Sequence, residues 1–133
     1  MASGHPRVAI VDDDTSVRRA LARLLNASSF DAMTFESGQA FLDSLSAGTP
    51  DFVVLDLHMP GMNGLDVMAA LTRAGLALPV IMITGHASLE AQARCKAAGA
   101  IAYLSKPLDQ TTFLRAAAEA AGASSRTASH RPG

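Results

Sequence analysis

Strand-like runs and helix-like segments alternate five times along this sequence, and this alternation restricts the fold more than any other feature. The runs "DFVVL" and "VIMIT" are almost wholly apolar, which is typical of strands covered on both faces. The segments between such runs carry apolar residues three or four positions apart, as amphipathic helices do. Because each strand is followed by a helix, the strands should pair in parallel through right-handed crossovers. The sequence therefore predicts an α/β fold: a five-stranded parallel sheet with helices on both faces, in a three-layer sandwich.

The element boundaries follow from capping and turn residues such as Ser37, which can begin a helix, and Gly99, which can end one. The predicted strands are Arg7–Val11, Asp31–Phe35, Asp51–Leu55, 80–84 and Ile101–Leu104. The predicted helices are Thr15–Ala27, a short one that carries Phe41, Leu42 and Leu45, one through Leu65, Met68 and Leu71, then Ser88–Ala98 and Asp109–Ala121.

The length of 133 residues suits one compact domain. Apolar residues make up 49% of the chain and charged residues 17%, so the chain can form a core and global disorder is excluded. Residues 1–121 are predicted to form the domain. From Gly122 the segment "GASSRTASHRPG" is small, polar and without an apolar period, so residues 122–133 are predicted to be a flexible tail or a linker stub.

The charge balance and the single cysteine indicate where the protein acts. Eleven basic and 12 acidic side chains give a formal net charge of −1, which predicts direct binding neither to nucleic acid nor to a membrane surface. Cys95 cannot form an internal disulfide and is interpreted as a packing residue of a helix. With no signal peptide evident, and with apolar runs too short to cross a bilayer, we expect a cytoplasmic protein.

Polar side chains stand at the carboxyl ends of four predicted strands. The first strand runs into Asp12, Asp13 and Asp14, the third into Asp56, the fourth into Thr84 and the fifth into Ser105, Lys106 and Pro107. In an open parallel sheet, ligands bind beyond these ends. Carboxylates, a hydroxyl and an ammonium are therefore predicted to converge on one edge of the sheet.

This set of side chains suits a metal ion and a phosphoryl group. Crowded carboxylates favour a hard divalent cation, and ligands that are all oxygen favour Mg²⁺ over Zn²⁺. The cation, Lys106 and Thr84 could stabilise phosphoryl oxygens. The chain has no glycine-rich phosphate-binding loop ending in Gly-Lys-Ser or Gly-Lys-Thr, so a nucleotide is not the obvious source of the phosphoryl group. A carboxylate could instead be its acceptor, and Asp56, alone at the end of the central strand, is the best candidate.

Four segments, "VDDD", "VVLDLHMPGMNG", "VIMITGH" and "YLSKPL", resemble the signature segments of response-regulator receiver domains, the CheY-like family. The resemblance covers about residues 6–121, and it implies the strand order 2-1-3-4-5. The segments "VRRALARLL", "MPGMNGL" and "TGH" are similar to receivers of the nitrogen-fixation and nitrate-regulator type. Those receivers are commonly joined to a DNA-binding domain, whereas we expect none within these 133 residues.

The resemblance also implies the roles of the acidic residues. Asp56 would be the phosphoacceptor and a metal ligand. Asp13 would bind Mg²⁺ directly, Asp12 would bind it through water, and the backbone carbonyl of His58 would complete the protein ligands. Mn²⁺ could replace Mg²⁺. A register in which Asp13 and Asp14 are the ligands stays open, although Asp14 better suits the start of the following helix, where its charge meets the helix dipole.

The remaining implied roles belong to residues after the fourth and fifth strands. Thr84 and Lys106 would bind the phosphoryl oxygens, and Tyr103 would change rotamer when Thr84 moves. The bond between Lys106 and Pro107 would be cis. Alone, Thr84 could be an ordinary strand-end hydroxyl and Lys106 an ordinary surface lysine, and Tyr103 could be a half-buried strand aromatic.

His58 and His86 each follow a predicted site residue by two positions. Both could be solvated loop residues, which is the simpler interpretation. Alternatively, they could border the phosphorylated pocket and tune the attack of water, because imidazole exchanges protons near neutral pH.

The predicted function is that of a two-component receiver. Asp56 would accept a phosphoryl group from a sensor histidine kinase or a phosphotransfer protein, and the surface formed by the fourth helix, fifth strand and fifth helix would then bind a downstream protein or a second copy. The domain would turn over no external substrate. Two alternatives are a pseudo-receiver that binds partners without phosphorylation and an aspartate-nucleophile phosphohydrolase. The phosphohydrolase alternative is less favoured, because His58 stands where such hydrolases usually carry a second Asp.

Overall fold

The structure, a computed structural model, describes residues 4–129, with the backbone alone from residue 125. Strands and helices alternate as the sequence predicts. The strands are β1 (Arg7–Val11), β2 (Asp31–Phe35), β3 (Phe52–Asp56), β4 (Val80–Thr84) and β5 (Ala102–Ser105). The helices are α1 (Thr15–Ala27), α2 (Gly38–Ser44), α3 (Gly64–Arg73), α4 (Leu89–Ala97) and α5 (Gln110–Ser129), with a 3₁₀ turn at Leu45–Ala47.

The five strands form one parallel sheet in the order β2-β1-β3-β4-β5. This order confirms the predicted fold class and topology. Two strands lie one residue later than predicted, so that Asp56 is the last residue of β3 and Ser105 the last residue of β5. Because β1 and β3 are neighbours, the two acidic strand ends come together at the centre of the sheet's carboxyl edge.

Helices cover both faces of the sheet, and successive strand residues point to opposite faces. Val8 and Ile10 pack under α1 and α5, while Ala9 and Val11 face α2, α3 and α4. Because helices cover both faces, apolar residues are needed on both sides of β1, β3 and β4, and these strands are continuous apolar runs in the sequence. Cys95 of α4 is fully buried on the same face of the sheet as Ala9 and Val11, which agrees with its interpretation as a packing residue. Burial raises the pKa of its thiol.

Side chains that accept hydrogen bonds from backbone N–H groups fix the starts of the helices. Ser37 begins α2 and Ser88 begins α4. Asn63 and Asp66 form a reciprocal capping box at the start of α3. Asp109 accepts from the N–H of Thr112 in the first turn of α5. The helix starts are thus encoded locally, close to where the sequence places them.

The last helix differs from the prediction at its end. It continues past Ala121 to Ser129, because the intervening alanines and serines carry no proline and a single Gly122 costs a helix only about 1 kcal/mol. The description of residues 122–133 as a tail or linker stays a prediction, and residues 130–133 lie outside the described residues. Within residues 4–129, no helix has both the length and the hydropathy that crossing a membrane requires.

Candidate functional site

Three carboxylates meet at the carboxyl edge of the sheet. Asp12 directly follows β1 and is completely buried, Asp13 is exposed, and Asp56 is only 3% exposed at the end of β3. One carboxylate oxygen from each lies within 4.8 Å of the others. The structure therefore brings together the acidic residues that the sequence predicts to share one site.

The two carboxylate oxygens of Asp12 have different kinds of partner. Its Oδ1 accepts a hydrogen bond from the backbone N–H of Asp14 at 2.9 Å, and its Oδ2 lies 3.0 Å from Lys106 Nζ. Among the described residues, Asp12 Oδ2 is the buried side-chain oxygen or nitrogen that lacks a hydrogen bond of good geometry. A buried carboxylate oxygen with spare bonding capacity, beside two more carboxylates, fits a hard divalent cation.

Lys106 supplies the positive charge of the site. Its ammonium lies 3.0 Å from Asp12 and 3.6 Å from Asp56, and its side chain is 23% exposed. Burial alone would lower the pKa of Lys106, but the two carboxylates more than offset this and the pKa is raised. The loop that carries Lys106 is fixed by its backbone N–H, which donates to the carbonyl of Thr84 at 2.7 Å. The bond from Lys106 to Pro107 is cis, as the resemblance implies.

Asp56 carries a perturbed carboxyl group. Burial, followed by repulsion from the Asp12 carboxylate, raises its pKa from 3.8 to about 6, against the opposing effects of Lys106 and of the His58 N–H. That N–H donates to Asp56 Oδ1 at 3.3 Å. Near neutral pH the group is still largely a carboxylate, in a site where an added cation or a loss of negative charge relieves repulsion.

Thr84 and Tyr103 lie on neighbouring strands but have different partners. Thr84 is completely buried, and its Oγ1 accepts from the backbone N–H of His86 at 3.0 Å. Tyr103 is half-buried, and its hydroxyl accepts from the backbone N–H of Ser88, the residue that caps α4, at 3.3 Å. The structure thus connects Thr84 to the loop after β4 and Tyr103 to the start of α4.

Asp14 has a structural contact that separates it from the acidic cluster. Its Oδ1 accepts from the N–H groups of Ser16 at 2.9 Å and Val17 at 3.2 Å, which caps α1. Of the two registers that the sequence leaves open, the geometry therefore favours Asp12 and Asp13 as the pair beside Asp56.

Arg18 is a neighbour of the site that the sequence pattern did not reveal. Its guanidinium donates to the backbone carbonyl of Asp12 at 2.7 Å and to Thr15 Oγ1 at 3.2 Å, so it links the first turn of α1 to the acidic loop. The only signal in the sequence is an arginine about one helical turn after three aspartates, and such a residue reads equally well as a solvated charge.

Comparisons with known proteins agree with this geometry. A family model for the response regulator receiver domain matches residues 8–118. The DNA-binding transcriptional regulator NtrC of Klebsiella pneumoniae is 43% identical over 100 residues, which is 75% of this chain but only 21% of that protein. The chain thus spans about a fifth of the length of that relative.

Two solved structures are also similar to this chain. A response regulator receiver protein from Burkholderia phymatum is 47% identical, with a TM-score of 0.79 over 88% of this chain and 95% of that one. The chemotaxis protein CheY4 of Vibrio cholerae is 26% identical, with a TM-score of 0.81 over 88% of this chain and 99% of that one. With its parallel sheet of order 2-1-3-4-5, its acidic cluster and the family match over most of its length, the chain belongs to the receiver domains of two-component response regulators.

Proposed function

We propose that Asp56 accepts a phosphoryl group from the phosphohistidine of a sensor histidine kinase or of a phosphotransfer protein. The observation that carries the proposal is the placement of Asp56, which ends the central strand with Asp12 and Asp13 on one side and the Lys106 ammonium 3.6 Å away. A carboxylate beside an ammonium group and acidic metal ligands can act as a nucleophile toward phosphorus, and the ammonium group neutralises part of the product charge.

The transfer would use side chains at the carboxyl edge of the sheet. An oxygen of Asp56 forms a bond to phosphorus, while the bond from phosphorus to the histidine nitrogen breaks and its electron pair stays on the imidazole. Lys106 binds one phosphoryl oxygen and Thr84 donates its hydroxyl to another. Asp13 and Asp56, Asp12 through water, and the His58 carbonyl would hold Mg²⁺, which would neutralise phosphoryl charge, and Mn²⁺ could replace it. Water later cleaves the acyl phosphate, so the domain processes only its own phosphoryl group.

Phosphorylation is read out at the face formed by α4, β5 and α5. If Thr84 turns toward the phosphoryl group, its hydrogen bond from His86 breaks and Tyr103 can move off the start of α4. Leu89 is 86% exposed at the start of α4 and Ile101 is 47% exposed just before β5, which supports a binding surface for a downstream protein or a second copy. We expect this exchange to occur in the cytoplasm.

Intact mass after incubation with acetyl phosphate tests the proposal. Wild type with MgCl₂ is expected to gain one phosphoryl group, whereas wild type with EDTA and Asp56→Asn with MgCl₂ gain none. Asp43→Asn, which removes an exposed carboxylate from α2, is the matched control and should behave as wild type.

Other outcomes of the same experiment identify the alternatives. A folded wild-type protein without an adduct would favour the pseudo-receiver. Sustained phosphate release over many turnovers, without an accumulating adduct, would favour the hydrolase.

Asp13 and Asp14, the two exposed aspartates between β1 and α1, are expected to have different roles. Asp13→Asn is expected to weaken Mg²⁺ binding about tenfold or more, because it removes a charged oxygen ligand, with little change in stability. Asp14→Ala is expected to cost about 1 kcal/mol of unfolding free energy through loss of the α1 cap, with Mg²⁺ affinity within about threefold of wild type. Calorimetry and urea unfolding measure the two quantities. A reversed pattern would assign the metal to the other register.

A further inference from the structure

His58 and His86 lie against each other at the mouth of the acidic site. They belong to the loops that follow the adjacent strands β3 and β4, and both are exposed. Their ring centroids are 5.8 Å apart at an interplanar angle of 72°. Two imidazoles held this close by separate, well-anchored loops can act as a chelating pair, although neither ring has a role in the proposed phosphoryl transfer.

The spacing of the rings is close to that of a two-histidine metal site. With metal–nitrogen bonds of about 2.0–2.1 Å and about 1.2 Å from ring nitrogen to ring centre, a tetrahedral ion places two ring centres about 5 Å apart. The observed 5.8 Å exceeds that by less than an ångström, which small side-chain rotations can close. Ring nitrogens of exposed side chains are also free to turn toward a shared ion.

The charge and the ligand types select the cation. The backbone N–H of His58 donates to Asp56 Oδ1, so the pair adjoins three carboxylates that face one lysine, and this excess of negative charge attracts cations. Imidazole suits Zn²⁺, Cu²⁺ and Ni²⁺, whereas Mg²⁺ prefers oxygen. We propose that His58 and His86 form a second cation site, specific for divalent transition metals such as Zn²⁺ and distinct from the carboxylate site.

Occupation of this site would act on phosphorylation through two backbone hydrogen bonds of the loops. The His58 N–H bonds Asp56, and the His86 N–H bonds Thr84 Oγ1 at 3.0 Å. An ion bound by both rings would restrict the motion of the two loops whose backbone N–H groups bond Asp56 and Thr84. This consequence rests on the proposed function, and the expected effect is slower formation of the phosphoryl adduct in the presence of ZnCl₂.

Calorimetric titration of ZnCl₂ into the full chain at neutral pH, with MgCl₂ in excess to occupy the carboxylate site, tests the cation site itself. We expect one Zn²⁺ per chain and an affinity that falls about tenfold or more in His58→Gln and equally in His86→Gln, since each leaves a single ligand. His5→Gln is the matched control. His5 precedes β1 at the opposite edge of the sheet, so its variant should match wild type.

The remaining outcomes overturn the site. They are the absence of Zn²⁺ binding in the presence of excess MgCl₂, an effect in only one of the two variants, an equal loss in His5→Gln, or one Zn²⁺ per two chains. Because this titration needs no phosphoryl donor, it is independent of the proposed function. Adduct formation is then compared with and without ZnCl₂ in wild type and in the double variant, and equal slowing in both would remove the link to phosphorylation but not the site.

Discussion

At neutral pH and without divalent cations, Asp56→Asn is expected to be more stable than wild type by about 2 kcal/mol. Asp56 is 3% exposed, and burial together with the Asp12 carboxylate raises its pKa from 3.8 to about 6. Such a rise corresponds to roughly 3 kcal/mol at most, and water at the mouth of the site reduces it. Asparagine has nearly the same shape without the charge.

The sign of the pH dependence follows from the direction of the shift. The folded protein binds the Asp56 proton more tightly than the unfolded chain, so wild type loses stability as pH rises from about 4 through about 6. The difference between variant and wild type should therefore vanish near pH 4 and reach its full size above about pH 7. Urea unfolding in EDTA across this range measures it.

Asp43→Asn is the control for this series, because it neutralises an exposed carboxylate and should show no such pH-dependent gain. Addition of MgCl₂ should reduce the difference in unfolding free energy between Asp56→Asn and wild type, since a cation bound by the folded wild type offsets the repulsion. A difference that stays constant with pH, or an Asn variant less stable than wild type at neutral pH, would contradict the account of a repulsive acidic cluster.

Gly64→Ala is expected to destabilise the domain by about 2–3 kcal/mol. A Cβ at Gly64 would lie 2.7 Å from Met82 Sδ, 2.9 Å from the Asp56 carbonyl oxygen and 3.0 Å from Leu57 Cα. Two of these atoms are backbone and cannot move aside alone. The N-terminus of α3 rests directly on the strand end that presents Asp56, so the added methyl group should also disturb the site.

Gly85→Ala is the matched control for Gly64→Ala. Gly85 follows β4 at the same edge of the sheet, and a Cβ there would have no heavy atom within 4 Å. The unfolding free energy of Gly85→Ala should lie within about 0.5 kcal/mol of that of wild type, because the added methyl group makes no contact and slightly restricts the unfolded chain. Similar losses in both variants would show that glycine is needed for backbone freedom at this edge, not for close packing.

Local patterns determined most of the fold. Apolar runs in β3 and β4, helical periodicity in α1 and α3, and caps such as Ser37 and Ser88 are short-range signals that the folded protein keeps. The end of α5 was less predictable, because alanine and serine are compatible with both a helix and a tail. Residues compatible with a helix continue beyond Ala121, where the apolar periodicity of the sequence ends.

The site was predictable in outline from one rule, since the carboxyl ends of parallel strands meet at one edge. That rule places Asp12, Asp56, Thr84 and Lys106 together from sequence alone. It gives no information on orientation, so it missed the contact of Arg18 with the Asp12 carbonyl and the meeting of the His58 and His86 rings. Such contacts depend on loop geometry and on rotamers, which have no sequence period.

The sequence by itself determined the α/β class, the positions of the strands and which residue types stand at the carboxyl edge, because these depend on the spacing of apolar and capping residues along the chain. Only the tertiary structure decided that Asp12 is buried, that Asp14 caps a helix, that Lys106 reaches both Asp12 and Asp56, and that the pKa of Asp56 rises to about 6. The reason is physical: desolvation and Coulomb interactions depend on distances between residues far apart in sequence, and packing sets those distances.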